Sequence, residues 1–465
     1  MRSWLFATVF GFGATWGAGA ALAQTQPHTL QEALAAAYSS NPTLLAARAA
    51  LRSVDEGVPQ ALAGWRPTVT VQAQYGVQNS AFSTASTGGK YTAITSPAHA
   101  VQATVTQPIY NGGRTEAATH AAENRVLSQR GRLIATEQLV FTNVITDFTN
   151  VIQTDQLLQL DINQEQVLTR QLQATNDRFR VGEITRTDVA QAEAALAGAR
   201  STRQTAEGNV QTARAAFQRD VGFLPDHLVA PQPLALPLKS AAEASRIAAA
   251  NNPSLIYTMF DAAASKDAVD QAFSAILPQV SANGSAFKTD NVGGTGELTK
   301  GVSATVTVTV PLYQGGAEYS AVRQARQTEQ QSRKTVDDTR RQVIQAALSS
   351  WETLVAARAS IESTRAAVRA NEIALEGTQR EAIVGSRTTL DVLNAEQALL
   401  QSRSTLVTNL ASLITSSYGV ASAIGRLTAK DLNLNVPLYD DTAYYTAVHD
   451  RLFGTGDYAL SQPGR

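Results

Sequence analysis

The sequence predicts a mainly α-helical chain with a β-barrel portion, made of one helix–β-hairpin–long helix–helix unit written twice. Three observations predict it: motifs that recur at near-constant spacing, windows of alternating polar and apolar residues, and two proline-free runs of 68 residues, 114–181 and 317–384.

The recurrence decides the architecture, because self-similarity at a fixed period marks a repeated structural unit. Asn41-Pro42-Thr43-Leu44 returns as Asn252-Pro253-Ser254-Leu255, and Arg66-Pro67-Thr68-Val69 as Leu277-Pro278-Gln279-Val280, both 211 residues later. Pro108-Ile109-Tyr110-Asn111-Gly112-Gly113 returns as Pro311-Leu312-Tyr313-Gln314-Gly315-Gly316 after 203 residues. The same 203 relates Val181-Gly182 to Val384-Gly385, Asp188-Val189 to Asp391-Val392 and Gly222 to Gly425. One eight-residue deletion reconciles the two offsets. The units are 24–226 and 238–432, joined by a proline-rich linker at 227–237.

The deletion falls inside the alternating windows. Val69, Val71, Ala73, Tyr75 and Val77 interleave with Thr68, Thr70, Gln72 and Gln74. Val101, Ala103 and Val105 interleave with Gln102, Thr104 and Thr106, and Val302 to Val310 alternate with Ser and Thr. Period-two alternation is the strand signal. Each unit therefore holds a hairpin, at about 66–109 and 277–312, with polar turns expected at 83–96 and 289–299.

The proline-free runs read as helices 114–181 and 317–384, rods of about 100 Å at 1.5 Å per residue. Val144, Val151, Leu158 and Leu172 mark a heptad seam that Glu165 interrupts; Ala347, Leu354, Ile361, Val368 and Leu375 mark the same seam in the second copy. Return helices follow at 187–220 and 389–424, the first with its own seam through Val189, Ala192, Leu196, Ala206, Val210, Ala213 and Phe217. Sustained heptads with polar flanks mean coiled coils rather than one globular core.

Composition excludes other classes. Lys+Arg (38) and Asp+Glu (39) balance to −1, unlike a nucleic-acid binder, which carries a strongly basic surface. With no cysteine there is no disulfide, thiolate metal site or acyl-thioether anchor. The five histidines lack metal spacing, and no nucleophile elbow or Walker loop is present. Neither an enzyme nor a cofactor is expected. Residues 1–23 read as a secretory signal ending Ala21-Leu22-Ala23, so the mature chain is expected outside the cytoplasm.

An exported chain without membrane helices, carrying strands polar on one face and apolar on the other, fits an outer-membrane barrel. Four strands cannot close a barrel and open edges cannot face lipid, so several chains must share one. The alternative is a pair of soluble hairpins packed on the helices. Glycines 182 and 385 suit helix ends, and Thr187/Asp188 and Thr389/Asp391 suit the first turn of the next helix.

The element order, the turns Val181-Gly182-Glu183-Ile184-Thr185-Arg186-Thr187-Asp188-Val189 and Val384-Gly385-Ser386-Arg387-Thr388-Thr389-Leu390-Asp391-Val392-Leu393, and the stretch Ala423–Leu432 resemble the TolC-type outer-membrane efflux proteins. The resemblance implies a homotrimer: a 12-stranded barrel in the outer membrane of a Gram-negative bacterium, continuous with a coiled-coil α-helical tunnel in the periplasm. It implies a passive duct for proteins or small molecules such as drugs, serving an inner-membrane pump of ABC or RND type through a periplasmic adaptor. It places Asp391 in an acidic ring at the periplasmic gate, assigns Arg387, Thr187 and Asp188 to links between neighbouring coils, and offers Gly182, Glu183, Gly385 and Ser386 as the adaptor-contact turns. Two departures matter: Asn394 stands where the family pattern has a second aspartate, and Ala382 where it has a tyrosine paired with the Asp188 position. A gate with weaker cation selectivity and easier opening is expected.

Rival readings are a periplasmic adaptor, which would show one hairpin without duplication, and a secreted coiled-coil structural protein, which would not need two alternating hairpins. Beyond Asp431 the pattern stops; residues 433–465 are expected to belt the middle of the helices and end in about ten disordered residues.

Overall fold

The computed structural model describes residues 27–83, 88–292 and 297–461; the leader expected at 1–23 lies outside them. In chain order the helices and strands are α1 (Leu30–Ser40), α2 (Pro42–Asp55), α3 (Gly57–Leu62), β1 (Thr68–Phe82), β2 (Thr92–Tyr110), α4 (Arg114–Arg180) and α5 (Arg186–Val221). The second copy follows as α6 (Ala241–Asn251), α7 (Pro253–Phe273), β3 (Gln279–Asp290), β4 (Leu298–Thr309), α8 (Ala317–Ile383) and α9 (Thr389–Ala423), and α10 (Ala443–Val448) closes the chain.

The strands form one antiparallel sheet in the order β1-β2-β3-β4, so the hairpins of the two copies pair with each other. Register sorts the faces. Val69 lies opposite Val105, Ala73 opposite Val101, Ala286 opposite Val302 and Val280 opposite Val308, while Gln72 faces Gln102 and Ser285 faces Ser303. One face is thus aliphatic and the other is Thr, Gln, Ser and Asn. The aliphatic face is bare: Val69 is 67% and Val302 86% exposed. The first hairpin departs from expectation, because β2 begins at Thr92 and pairs Thr92–Ser96 with Gln78–Phe82 inside the stretch expected to turn. Pro97 is tolerated there because β3 ends at Asp290, opposite His99, which leaves β2 an edge strand at that height.

At the foot of each hairpin a pair of left-handed glycines, Gly112-Gly113 and Gly315-Gly316, turns strand into helix. A Cβ on Gly112 would sit 2.7 Å from the Ser274 carbonyl oxygen, so the corner admits no side chain. The long helices α4 and α8 are 67 residues each, about 100 Å. Along the far half of α4 runs α5, burying Val189, Ala192, Leu196, Ala206, Val210, Ala213 and Phe217. Glu165, the break in the seam, is held by the Nε of Arg200 at 3.2 Å and of Arg203 at 2.7 Å.

The same side-chain lock fixes both copies. Asn41 caps α2 through its Oδ1 and donates from Nδ2 to the Asp220 carbonyl at 2.9 Å. Asn252 caps α7 and donates to the Ala423 carbonyl at 3.0 Å. The end of α5 is thereby tied to the start of α2, and the end of α9 to the start of α7. The main core lies at this level, where Leu34, Leu51, Phe141, Phe148 and Phe217 pack with Phe223 and with linker residues Leu234 and Leu236.

The C-terminal segment begins where it is expected, with Leu434, Val436 and Tyr439 packed into the core at the middle of α4. Its later part differs from expectation: it leaves that level and climbs toward the hairpin. Arg48 is 1% exposed, donates to the Tyr38 carbonyl at 2.8 Å, and lies 4.6 and 5.2 Å from the Tyr38 and Tyr439 rings. Tyr444 donates to Glu56 at 2.9 Å, and Arg66 donates to the Arg451 carbonyl at 2.9 Å. Tyr458–Ser461 is a helical turn with Ala459 buried against Tyr444 and Val448, because Arg451 and Asp457 tie the chain locally. Residues 462–465 of the expected disordered tail lie outside the described residues.

Burial raises Glu137 to about 7, against the pull of the Ala429 N–H, which donates to it at 2.6 Å, and of Arg48. A carboxyl whose folded pKa exceeds its unfolded value of 4.5 costs stability progressively as pH rises between the two values. Glu137→Gln keeps the acceptor oxygen. It should stabilise the fold by about 1–2 kcal/mol at pH 8 and leave it unchanged at pH 4.5, read as melting temperature in detergent.

Candidate functional site

The two helix–turn–helix tips concentrate the residues singled out from sequence. Each begins with a glycine in the left-handed region, Gly182 at φ 77° and Gly385 at φ 79°. The N–H groups of the next residues reach back to the helix end: Glu183 to the Arg178 carbonyl and Ser386 to the Glu381 carbonyl, both at 3.0 Å. These bonds satisfy carbonyls that a helix end leaves free. Ser386 adds its hydroxyl, donating to the Glu381 carbonyl at 2.9 Å.

Each return helix then starts with a reciprocal cap. Asp188 Oδ2 accepts from the Thr185 N–H at 2.9 Å and hydroxyl at 2.7 Å, and the Asp188 N–H is directed at the Thr185 Oγ1. Asp391 Oδ2 accepts from the Thr388 N–H at 2.9 Å and hydroxyl at 2.8 Å. The N-caps are thus Thr185 and Thr388. Thr187 stands exposed in the first turn of α5, and Thr389 is the buried first residue of α9. The T-x-x-D spacing of a capping box was present in the sequence at both places and pointed to these threonines.

Both carboxylates are held below the usual aspartate range. For Asp188 the cause is the Thr185 hydroxyl and N–H, with Arg178 nearby; for Asp391 it is the Thr388 N–H and hydroxyl, with Arg387 nearby. Both stay ionised at neutral pH, each with Oδ1 unpaired among the described residues. Arg178 pairs with Glu183 at 2.7 Å and Arg387 with Glu381 at 2.9 Å, each within its own turn. Asn394 is exposed on α9, one helical turn after Asp391. The structure therefore brings Asp391, Arg387 and Ser386 together on one tip, and Gly182, Glu183, Thr187 and Asp188 on the other. Within one chain, neither set bonds to the other.

The coils behave accordingly. Above the tips, α8 and α9 are joined by Arg403–Glu372 at 2.9 Å and Asn371–Ser402 at 2.6 Å, as α4 and α5 are through Glu165. Between the two coils, Gln153 donates to Thr408 at 3.4 Å; among the described residues no hydrogen bond or ion pair joins them nearer the tips. There they face each other across a groove lined by Leu168, Ala199, Leu393 and Leu400. No group of three or more potential ligands for a metal occurs among the described residues.

A four-stranded sheet with a bare aliphatic face, set on two 100 Å coils, is the protomer fold of outer-membrane channels. The solved Campylobacter jejuni CmeC outer membrane channel superposes with a TM-score of 0.76 at 15% identity, covering 93% of this chain and 90% of that one. The outer membrane efflux protein model matches the chain twice, over residues 31–222 and 244–426, and the chain belongs to that family. It is 34% identical to outer membrane efflux protein BepC of Brucella suis over 428 residues, 92% of this chain and 91% of the relative. It is 25% identical to outer membrane protein TolC of Escherichia coli over 431 residues, 88% of this chain and 84% of the relative. The protein is an outer-membrane efflux or secretion channel of the TolC type, and its relatives are channels rather than enzymes.

Gly385→Ala should cost about 1 kcal/mol, because the left-handed backbone disfavours a Cβ even where space is open. Thr388→Val should cost a similar ~1 kcal/mol through loss of the cap. Hydrogen exchange of the Asp391 amide, faster in both variants than in the unchanged protein, would register the frayed tip.

Proposed function

We propose that three copies of this chain close into a single 12-stranded outer-membrane barrel continuous with a periplasmic tunnel of coiled helices. The duct is passive. It is opened by an inner-membrane pump, of ABC or RND type, through a periplasmic adaptor, and it exports proteins or small molecules, drugs among them. The observation that carries this reading is the sheet: its outer strands β1 and β4 have unpaired edges and its aliphatic face is uncovered. In lipid every backbone polar group needs a partner, so β4 of one copy must pair with β1 of the next. The opposite face, rich in Gln72, Gln102, Asn283 and Ser303, then lines the pore.

The tips are read as the gate and adaptor contact. Three Asp391 carboxylates would form one acidic ring, with Asn394 supplying no second charge. Ring neighbours raise each other's pKa, while the Thr388 cap lowers it, so the ring keeps its charge and attracts cations. Arg387, Thr187 and Asp188 would link coils of adjoining subunits, with Ala382 leaving one link short. Gly182, Glu183, Gly385 and Ser386, exposed at the ends of the rods, would meet the adaptor. No sequence feature favours a non-transport scaffold over this reading.

Unheated electrophoresis should give a trimer that converts to monomer on boiling; a monomer throughout would overturn the shared barrel. In planar bilayers Asp391→Ala should weaken block by multivalent cations by about tenfold or more, and unchanged block would remove the acidic ring. Replacing residues 182–187 by a Gly/Ser linker should abolish export while leaving trimers intact. Unimpaired export would sink the tip assignment.

A further inference from the structure

We propose that the C-terminal segment, residues 434–461, is a clasp between subunits whose acidic outer side seats on the basic surface of α8 in a neighbouring copy. The proposal rests on the trimeric reading above.

The duplication supplies the comparison. In the first copy the segment covers α2, α3 and the near half of α4, with Arg130 3.8 Å from Asp441 and its guanidinium 5.5 Å from the Tyr445 ring. On the corresponding surface of the second copy no such segment lies among the described residues. Arg333 and Arg340 stand 203 residues after Arg130 and Glu137, and Met259 and Lys266 stand 211 after Arg48 and Asp55. All four are exposed. Arg130, which meets the segment, Arg48 and Asp55, buried beneath it, and Glu137, which holds Ala429 just before it, are thus replaced by uncovered, mostly cationic residues in the other copy.

That bare surface is basic, with six cations between residues 323 and 341 against Glu329, Asp337 and Asp338. Arg323, Arg326, Arg333, Lys334, Arg340 and Arg341 fall within four or five turns of α8 and are all exposed. Arg333 pairs with Glu329 and Lys334 with Asp337, whereas Arg323, Arg326, Arg340 and Arg341 make no ion pair among the described residues. The segment is its complement. It carries Asp440, Asp441, Asp450 and Asp457, and the Asp450 side chain is 91% exposed. Its one arginine, Arg451, is turned onto its own backbone, donating to the Phe453 and Gly456 carbonyls. Phe453 beside it is 88% exposed.

Height and side agree. Leu434 lies in the core with Phe141 and Arg66 holds the Arg451 carbonyl, which places the segment between the level of Phe141 and the foot of β1, the span that runs on α8 from Ile344 to Ala317. Within the chain α7 packs on both α4 and α8, which leaves α2 and α8 as the two open sides of the helical layer, as β1 and β4 are of the sheet. Joining β4 to the next β1 therefore brings α2, with the segment on it, beside α8 of the neighbour. Half-exposed Tyr319 near the start of α8 would meet Phe453.

The test compares trimer lifetimes in detergent at a fixed temperature. Arg326→Glu/Arg340→Glu/Arg341→Glu should shorten the lifetime about tenfold at low salt, and the difference should shrink at high salt. Adding Asp450→Lys to that variant should recover part of the loss. In the unchanged protein, carbodiimide should cross-link Lys334 to segment aspartates between chains, recognised in trimers mixed from 14N- and 15N-labelled chains. Trimers with unaltered lifetimes, or cross-links confined to one isotope, would overturn the clasp. Unaltered lifetimes with reduced binding to phosphatidylglycerol vesicles would assign the α8 surface to lipid headgroups instead. No trimer from the unchanged protein would overturn the trimeric reading, and the clasp with it.

Discussion

The unpaired backbone of β1 and β4 is the constraint on which the rest of the molecule depends. A sheet of four strands with an aliphatic face toward solvent is unstable in water, and with two open edges it is unstable in lipid. Both defects disappear together when edges join edge to edge in a ring with the aliphatic face outward. The sheet in turn dictates the helices. Its strands turn through Gly112-Gly113 and Gly315-Gly316 into α4 and α8, so the spacing of the strands fixes the spacing of the rods. The rods need lateral partners of their own, and the short helices and returning helices fill those places at every level.

Duplication solves the filling problem economically but leaves an asymmetry. The skeleton repeats closely, down to the amide of Asn41 on Asp220 and that of Asn252 on Ala423. What lies on the skeleton does not repeat. The first copy has bound the chain's one C-terminal segment and accepted buried ionisable groups to do so: Arg48 between two tyrosines, and Asp55 and Glu137, both pushed up to about 7 mainly by desolvation. Such groups contribute little net stability, but they specify one docking geometry, since removing a single partner strands the other. The second copy carries Met259, Lys266 and Arg340 at those positions and keeps them in water.

Much of the fold was legible in the sequence because repetition made each signal count twice. Alternation marked the strands, and constant offsets marked the corner glycines and the tips. Thr92–Ser96 reads as turn because Thr and Ser are equally good strand and loop residues and Pro97 reads as a break; cross-strand pairing with Gln78–Phe82 makes it strand. The C-terminal segment was legible in composition but not in path, because it docks through single contacts such as Arg66 to Arg451, separated by hundreds of residues and without period. At the tips the glycines and aspartates could be picked out. The capping threonines, Thr185 and Thr388, were not among the residues singled out: two threonines stand near each turn, and only the T-x-x-D spacing tells the cap from its neighbour.

The tips also show where motion can occur. Each turn is closed by backbone bonds to the helix end, a reciprocal Thr–Asp cap and an Arg–Glu pair, all within its own hairpin. Each coil is further stitched by cross-helix pairs such as Arg203–Glu165 and Arg403–Glu372. Between the coils, by contrast, the polar contacts stop at Gln153–Thr408, near the level of the core. Breaking a tip therefore costs several interactions at once, whereas parting the coils below that level costs none of them. On the gate role proposed above, opening would swing intact coils about the packed middle of the rods rather than melt the turns. The Thr388 cap would then hold Asp391 in one orientation throughout, so that opening would change its distance from the neighbouring copies and not its local geometry.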